Sequence, residues 1–182
     1  TSLLTEIETP AAPGSGTPLF VAGQSIEIAG AQRGGTTLPT SALAISSSTT
    51  VQDLMDFITR ALGLHDTGSP NPAGNTPGVA LDPATGILTV VGNTGTDLRL
   101  LNADASLAGT PFVPTSIAEA DGESVRTSFI VYDSLGQPVQ VEMAMVLESK
   151  GDLGTTWRYY VDSRDTSAGA SGPDTRIATG TV

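Results

Sequence analysis

The chain has 182 residues, and its composition argues against several classes of function. It carries 8 Lys and Arg against 19 Asp and Glu, a formal net charge of −11, whereas binding to nucleic acid or to an anionic membrane needs clustered basic side chains. Cysteine is absent, which excludes disulfides, thiol catalysis and Cys-ligated zinc. The 21 Gly, 12 Pro and 4% aromatic residues favour a β-rich fold with short strands and frequent turns.

The sequence shows no targeting or membrane-spanning segment. The first residues do not place an apolar run after a basic one, so we predict no cleavable signal. No apolar run approaches the roughly 20 residues that a membrane helix requires. Because the chain begins at Thr1 without a Met, we expect a fragment or a processed product.

Residues 1–110 are predicted to form a small module that contains both helix and strands. A polar segment, residues 1–18, leads into it. Apolar and alternating patterns predict short strands at residues 19–22, 25–29 and 43–45. A turn at Gly23 separates the first two strands, and the Gly-Gly pair within residues 31–37 indicates a loop.

One helix is predicted, over residues 51–62. Thr50 is placed to cap it, and Asp53 follows three residues later, as in a capping box. Helical spacing puts five apolar side chains on one stripe, namely Val51, Leu54, Met55, Ile58 and Leu62. Gly63 stands where a left-handed C-terminal cap is favoured. We expect the stripe to pack on the module's own sheet.

The remainder of the module is predicted as a loop and a hairpin. Residues 65–78, including the Pro- and Gly-rich stretch 68–77, are expected to be exposed. Strands at 79–81 and 87–91 flank a turn at 82–86, and apolar residues indicate a further strand at 98–101. A second Pro-bearing connection, residues 102–120, contains the module boundary near Gly109.

Residues 111–182 are predicted to form an antiparallel β domain, a sandwich or a barrel-like unit. Its hairpin, residues 125–147, alternates with period two, so one face carries Val125, Thr127, Phe129, Val131, Val139, Val141, Met143, Met145 and Leu147. That face is expected to be buried. The opposite face carries Arg126, Ser128, Gln140 and Glu142 and suits water. A strand around Trp157, residues 155–162, and a final strand, 176–182, complete the domain, with a surface loop at 163–174.

The search for catalytic and metal-binding residues gives no site. His65 is the one histidine, and its place at a helix exit predicts a solvated side chain rather than a member of a triad. Carboxylates for glycoside hydrolysis would have to come from Glu119, Asp121, Glu123 and Glu142, most of which form a solvated acidic run. Oxygen ligands near Asp66, Asn71 and Asp97 do not match the spacing of a calcium loop. We therefore predict no catalytic residue, cofactor or metal.

Trp157, Tyr159 and Tyr160 form the aromatic cluster of the chain. Alternation places Trp157 and Tyr159 on the face of Phe129, where we expect them to be buried. Tyr160 points to the other face and is the better candidate for a contact between subunits.

The hairpin carries a resemblance to a known family. The sequence from Phe129 to Pro138, which reads Phe-Ile-Val-Tyr-Asp-Ser-Leu-Gly-Gln-Pro, followed by an alternating strand and by Thr-Trp-Arg-Tyr-Tyr-Val, resembles the second-domain segment of bacterial flagellar hook proteins. The earlier module is similar to the small insertion module of hook and related axial proteins, with Gly86-Ile-Leu-Thr-Val90 in the place of that module's Gly-x-Leu-x-Val hairpin. Neither end shows the heptad pattern of the tube-forming helices, so the resemblance implies an outer fragment of the subunit.

The resemblance implies a structural function. Hook subunits form a short extracellular tube that acts as a universal joint between motor and filament, and they are exported unfolded by a type III pathway. The expected partners are neighbouring copies in the helical tube, with rod and junction proteins beside them, while the fragment alone is expected to be monomeric. Alternatives are an extracellular adhesin or carbohydrate-binding module, or another axial protein such as a hook cap or junction protein.

Overall fold

The fold is mainly β with one α-helix in the described residues, as the sequence predicts. The computed structural model describes residues 2–8, 14, 16–33, 36–65, 70, 74–93, 98–99, 106–108, 124–163 and 176–182. Every strand pairing within these residues is antiparallel. Over the same ranges, no helix is both long and apolar enough to cross a bilayer.

The elements include the predicted helix and the predicted hairpins, together with short strands that were not predicted. A single 3-10 turn, Leu4–Glu6, precedes four short strands: β1 Ser25–Ala29, β2 Gln32–Arg33, β3 Thr36–Thr37 and β4 Ser41–Ala44. The helix α1 covers Val51–Ala61. Four more short strands follow it: β5 Gly78–Leu81, β6 Leu88–Val91, β7 Leu98–Arg99 and β8 Ser106–Ala108. The four last strands are β9 Ser124–Tyr132, β10 Pro138–Gly151, β11 Gly154–Ser163 and β12 Arg176–Thr181.

The elements from Leu4 to Ala108 form what we call the helix unit. Its three small sheets have the orders β4-β1-β8, β3-β2-β7 and β5-β6. On β1, Ile26 and Ile28 point inward and Glu27 points to solvent, the alternation expected of a half-buried strand. One buried apolar cluster joins these sheets to the helix, and it consists of Leu4, Phe20, Ile26, Ile28, Ala31, Leu38, Leu43, Ile45, Leu54, Phe57, Ile58, Ala61, Leu62 and Leu64.

The helix begins and ends where the sequence predicts. Thr50 Oγ1 accepts the N–H of Asp53 at 3.1 Å, and Asp53 Oδ2 accepts the N–H of Thr50 at 2.8 Å, which is a complete capping box. These bonds stabilise the ionised carboxylate, so the pKa of Asp53 is lowered from 3.8, first by the Thr50 N–H and then by its hydroxyl. The buried face is broader than the predicted stripe, since Phe57 and Ala61 join Leu54 and Ile58.

The C-terminal end of α1 is closed by a Schellman motif. Gly63 has φ of +63°, a left-handed conformation that glycine adopts without a Cβ penalty. The N–H of Leu64 donates to the carbonyl of Thr59 at 2.9 Å, and that of Gly63 donates to Arg60 at 3.0 Å. The motif turns the chain back toward the core, where the Leu64 side chain is buried.

The four last strands form the C-terminal sheet, ordered β12-β11-β10-β9. The β9–β10 turn owes its shape to Asp133, whose Oδ1 accepts the N–H groups of Leu135 and Gln137, each at 2.8 Å. Gly136 supplies the positive φ, +76°. In the Asp-Ser-Leu-Gly sequence, the turn therefore needs the Asp as a hydrogen-bond acceptor and the Gly for its positive φ. The predicted hairpin at 79–91 is also confirmed, and there Asp82 accepts the Thr85 hydroxyl and the Ala84 N–H, which lower its pKa.

Several local predictions are wrong. Residues 19–22 contain a bend and a turn rather than a strand, and Phe20 enters the core from that irregular segment. The loop predicted at 31–37 contains β2 and β3. Within the predicted connection 102–120, Ser106–Ala108 pairs with β1. These three strands have two or three residues each, too few to show a period. Residues 109–120 lie outside the described ones, as do half of the predicted loop 68–77 and all of the predicted loop 163–174 except Ser163.

The face predicted to be buried is open along β9. Val125 is 62% exposed and Phe129 is 43% exposed, and every residue of β9 is exposed on both faces. β9 is an edge of the described sheet and has a neighbouring strand on one side only. On β10 and β11 the same face, which we call the open face, is half-buried at most described positions and buried at Val141, as predicted, and at Ser163. The opposite face, the junction face, carries Tyr160 and Asp162 and is buried where it meets the helix unit.

The capping box predicts a pH-dependent contribution of Asp53 to stability. A lowered pKa in the folded chain means that the carboxylate contributes stability above pH of about 4, which is lost as pH falls through the lowered value. We expect Asp53→Asn to lower the free energy of unfolding at pH 6 and to have a smaller effect at pH 3. Urea titrations at both pH values measure it.

The matched variant Thr50→Ala removes the acceptor of the Asp53 N–H and should cost about 1 kcal/mol at pH 6, in line with other N-caps. It should still cost stability at pH 3, because that bond does not need an ionised carboxylate. An equal effect of Asp53→Asn at the two pH values would contradict the assignment.

The close packing at Gly180 predicts that a larger residue there lowers stability, and Gly151 provides a control position. Gly180 lies opposite Tyr159 in the β11–β12 register, and a Cβ added there would stand 2.5 Å from the Tyr159 hydroxyl oxygen. Gly151 has nothing within 4 Å of such a Cβ. We expect Gly180→Ala to lower the free energy of unfolding by about 1 kcal/mol more than Gly151→Ala, since the ring must move. Thermal unfolding of both variants is the measurement, and equal losses would refute it.

Candidate functional site

His65 is the polar residue whose position departs most from the sequence expectation. It was expected to be solvated in an exposed loop, and that is wrong, because it is only 5% exposed. The Schellman motif explains the difference. After Gly63 the chain does not run into solvent but turns inward, so Leu64 fills the core and His65 lies directly beside it.

A buried segment must satisfy its backbone polar groups, and here one side chain does most of it. The N–H of His65 donates to Asn93 Oδ1 at 2.8 Å, and Asn93 Nδ2 donates to the carbonyl of His65 at 2.6 Å. The Asn93 amide thus pairs with His65 as a neighbouring strand would. Asn93 is itself buried and lies two residues after β6. The β5–β6 hairpin, through Asn93, therefore fixes the backbone that follows α1.

The side chain of His65 reaches the C-terminal sheet. Its Nε2 lies 2.8 Å from Oδ1 of Asp162 on β11. Since an ionised carboxylate only accepts, Nε2 carries the hydrogen. The imidazole also lies beside the ring of Tyr160, with centroids 5.3 Å apart and planes at 49°. Arg176 on β12 donates from Nη1 to the carbonyl of Leu64 at 3.1 Å. These contacts connect residues 28 to 112 positions apart in the chain.

We call this set the His65 junction, and its members are Leu64, His65, Asn93, Tyr160, Asp162 and Arg176. Asp162 stands between two charged neighbours in the sheet, Glu142 opposite it on β10 and Arg176 opposite it on β12. Arg176 offsets part of the negative charge, and the imidazole N–H provides a donor. A buried carboxylate is tolerated where donors and an opposite charge surround it.

The His–Asp pair does not have the arrangement of a hydrolytic triad. Both side chains are at most a tenth exposed, which leaves no open access for a substrate. Ser163, the hydroxyl next to Asp162 in sequence, points to the open face and donates to the carbonyl of Gln140 at 2.8 Å. The pair is suited to holding two surfaces together.

Of the other candidates weighed from the sequence, the structure describes one, Glu142. Glu142 is partly buried on β10 and borders the junction. The remaining acidic and amide candidates lie outside the described residues, namely Asp66, Asn71, Asp97, Glu119, Asp121 and Glu123. Within the described ranges, no group of three or more His, Asp or Glu could hold a metal ion.

The aromatic cluster is divided between the two faces of the sheet. Trp157 and Tyr159 lie on the open face, as their alternation predicts, but they are half-buried there rather than buried. Tyr160 was the preferred candidate for a contact between subunits, and this is wrong, because it is 2% exposed and packs against His65. The side facing away from the predicted core is occupied by the helix unit. Alternation identified the face of Tyr160 and could not show what covers it.

The junction itself was missed, although the sequence holds part of the signal. Gly63 followed by an apolar residue is the pattern of a Schellman motif with a buried second residue, and it predicts an inward turn. Asp162 interrupts the apolar side chains of β11, and a charged residue inside a strand often has a partner. Neither pattern identifies His65 and Asp162 as partners across 97 residues.

A comparison with protein families gives one match. Residues 100–182 match the family model described as flagellar basal body protein FlaE D2 domain. The match covers the described strands β8 to β12 and includes Tyr160, Asp162 and Arg176 of the junction. No curated protein and no solved structure gives a significant match to the chain.

Because the Asn93 amide pairs with two buried backbone groups, we expect its removal to lower the free energy of unfolding strongly. Asn93→Ala leaves the buried N–H and carbonyl of His65 without this partner, so we expect a loss of about 2–4 kcal/mol in the free energy of unfolding. Ser47→Ala, at an exposed position, is the control and should be close to neutral. Urea titration of both variants is the measurement. A loss below about 0.5 kcal/mol for Asn93→Ala would contradict the role assigned to the amide.

Proposed function

We propose that this chain, whose residues 100–182 match the family model of FlaE-type flagellar D2 domains, forms contacts between copies of itself on the outside of the hook tube. The match supports a structural, hook-type role in the extracellular flagellar hook. The finer proposal concerns how that role is carried out. Copies touch through the outer surface of the C-terminal sheet, and these contacts change as the tube bends, so that the hook acts as a universal joint.

Strand β9 is the single observation that carries the proposal. It is the edge of the described sheet, and its large apolar side chains are exposed on both faces. Val125 and Phe129 point to the open face, and Ile130 and Tyr132 point to the junction face, where they are 64% and 72% exposed. A two-sided apolar edge of this kind costs solubility in an isolated chain. An exposed apolar edge strand is expected where a neighbouring subunit covers that strand in an assembly.

Charge and composition support a modest, wet contact rather than a permanent apolar one. Copies with a net charge of −11 repel one another, which opposes tight association in solution. Contacts in an open helical array are heterologous, so the isolated chain is proposed to be monomeric and to associate when further segments align it. Rod and junction proteins are the proposed neighbours at the ends of the tube.

Two further points of the proposal concern organisation and chemistry. The chain is proposed to divide at residue 110 into an insertion module, residues 1–110, and a hook-type β domain, residues 111–182. The FlaE D2 family is a structural one, and we propose that the chain has no catalytic residue, cofactor or metal of its own.

The lack of cysteine allows a direct test by single-site labelling. Three variants are placed in the full-length hook subunit: Ile130→Cys on the proposed contact, Leu135→Cys at the 83% exposed hairpin turn, and Val146→Cys at a 1% exposed position. A maleimide dye is applied to isolated subunits and to purified hooks. We expect Leu135→Cys to react in both states, Val146→Cys in neither, and Ile130→Cys only in isolated subunits.

The outcomes separate the two parts of the proposal. No label from Leu135→Cys in purified hooks would refute a place in the hook. Equal reactivity of Ile130→Cys before and after assembly would refute a contact at β9 and leave the hook assignment standing.

A further inference from the structure

The buried apolar cluster of the helix unit ends at the His65 junction. All fourteen members of this cluster come from residues 4 to 64. The buried apolar residues of the C-terminal sheet, Val141, Val146 and Tyr160, do not belong to it. Among the described strands, none of the helix unit pairs with β9 to β12. The hydrophobic stabilisation of the helix unit therefore comes from its own residues.

Several described contacts between the two parts are polar or aromatic. They include the His65–Asp162 bond, the Arg176 bond to the carbonyl of Leu64, and the tilted packing of the His65 ring beside Tyr160. Hydrogen bonds are directional, and these contacts reach two different strands from two consecutive residues. Together they define one relative orientation, whereas an apolar interface tolerates sliding.

We propose that the His65 junction is a releasable latch that fixes the orientation of the helix unit on the C-terminal sheet and opens without unfolding either part. Opening exposes the imidazole and the carboxylate, together with the guanidinium and the Leu64 carbonyl to which it donates, and water replaces these two hydrogen bonds at a small net cost. Loss of one partner in the closed state is more costly, because it leaves a buried polar group unpaired. The backbone of His65 remains tied to Asn93 in both states, since that pair lies within the helix unit.

The inference does not rest on the proposed function, because it concerns contacts within one chain. It adds a place where the chain can change shape.

A distance measurement in the full chain tests the latch. Spin labels are attached at Ser47→Cys, near the start of α1, and at Leu153→Cys, in the β10–β11 turn, both of which are exposed. With His65 and Asp162 intact, we expect one narrow distance population. His65→Ala and Asp162→Ala should each lose that narrow population and give a broad distribution. Circular dichroism and amide exchange in α1 and β10 should remain those of the parent chain.

Two further variants control for other causes. His65→Gln retains an N–H donor toward Asp162 and should keep most of the narrow population. Asp152→Ala removes an exposed carboxylate near the second label and should leave the distribution unchanged.

Each remaining outcome overturns the latch. A narrow distance in His65→Ala or Asp162→Ala would show that other contacts fix the orientation. Broadening in His65→Gln equal to that in His65→Ala would show that the hydrogen bond is not what holds the parts. Loss of amide protection in α1 or β10 in His65→Ala would make the junction part of a core.

Discussion

The arrangement of the molecule depends on how the backbone leaves α1. A chain that turns inward after a helix brings carbonyl and N–H groups into a region without water, and each group needs a partner. Gly63 permits the turn, the Leu64 N–H returns to the helix, and the Asn93 amide pairs with both backbone groups of His65. Because Asn93 pairs with the backbone of His65, the imidazole is not needed for that purpose and faces the C-terminal sheet.

Hydrophobic burial stabilises the helix unit, whereas hydrogen bonds contribute to its contact with the C-terminal sheet. Within the helix unit, burial of Leu54, Phe57 and Ile58 against the short strands supplies non-directional stabilisation, on the order of 1.5–3 kcal/mol for each fully buried side chain. Between the helix unit and the C-terminal sheet, the described contacts are directional and individually small in net free energy. On the proposal of a latch, the relative placement of the two parts is more easily altered than the core of the helix unit.

The sequence predicted correctly the features that depend on contacts between residues close together in the chain. The capping box of Thr50 and Asp53 lies within four residues, and the turn at Asp133 within five, so their hydrogen bonds could be inferred directly. The burial of His65 and Tyr160 could not be, since it depends on a partner 97 residues from His65. The exposure of β9 was also hidden, because alternation gives the face of a side chain and does not tell an edge strand from a central one.

An open strand on a strongly acidic chain affects how the protein behaves before it reaches its place. Repulsion between like-charged copies acts over about 8 Å at physiological salt, whereas ladder pairing along β9 acts only at contact. Free copies are consequently held apart by a barrier that ions weaken. Storage in concentrated salt removes that colloidal protection and favours strand-to-strand precipitation, while dilute buffer preserves it.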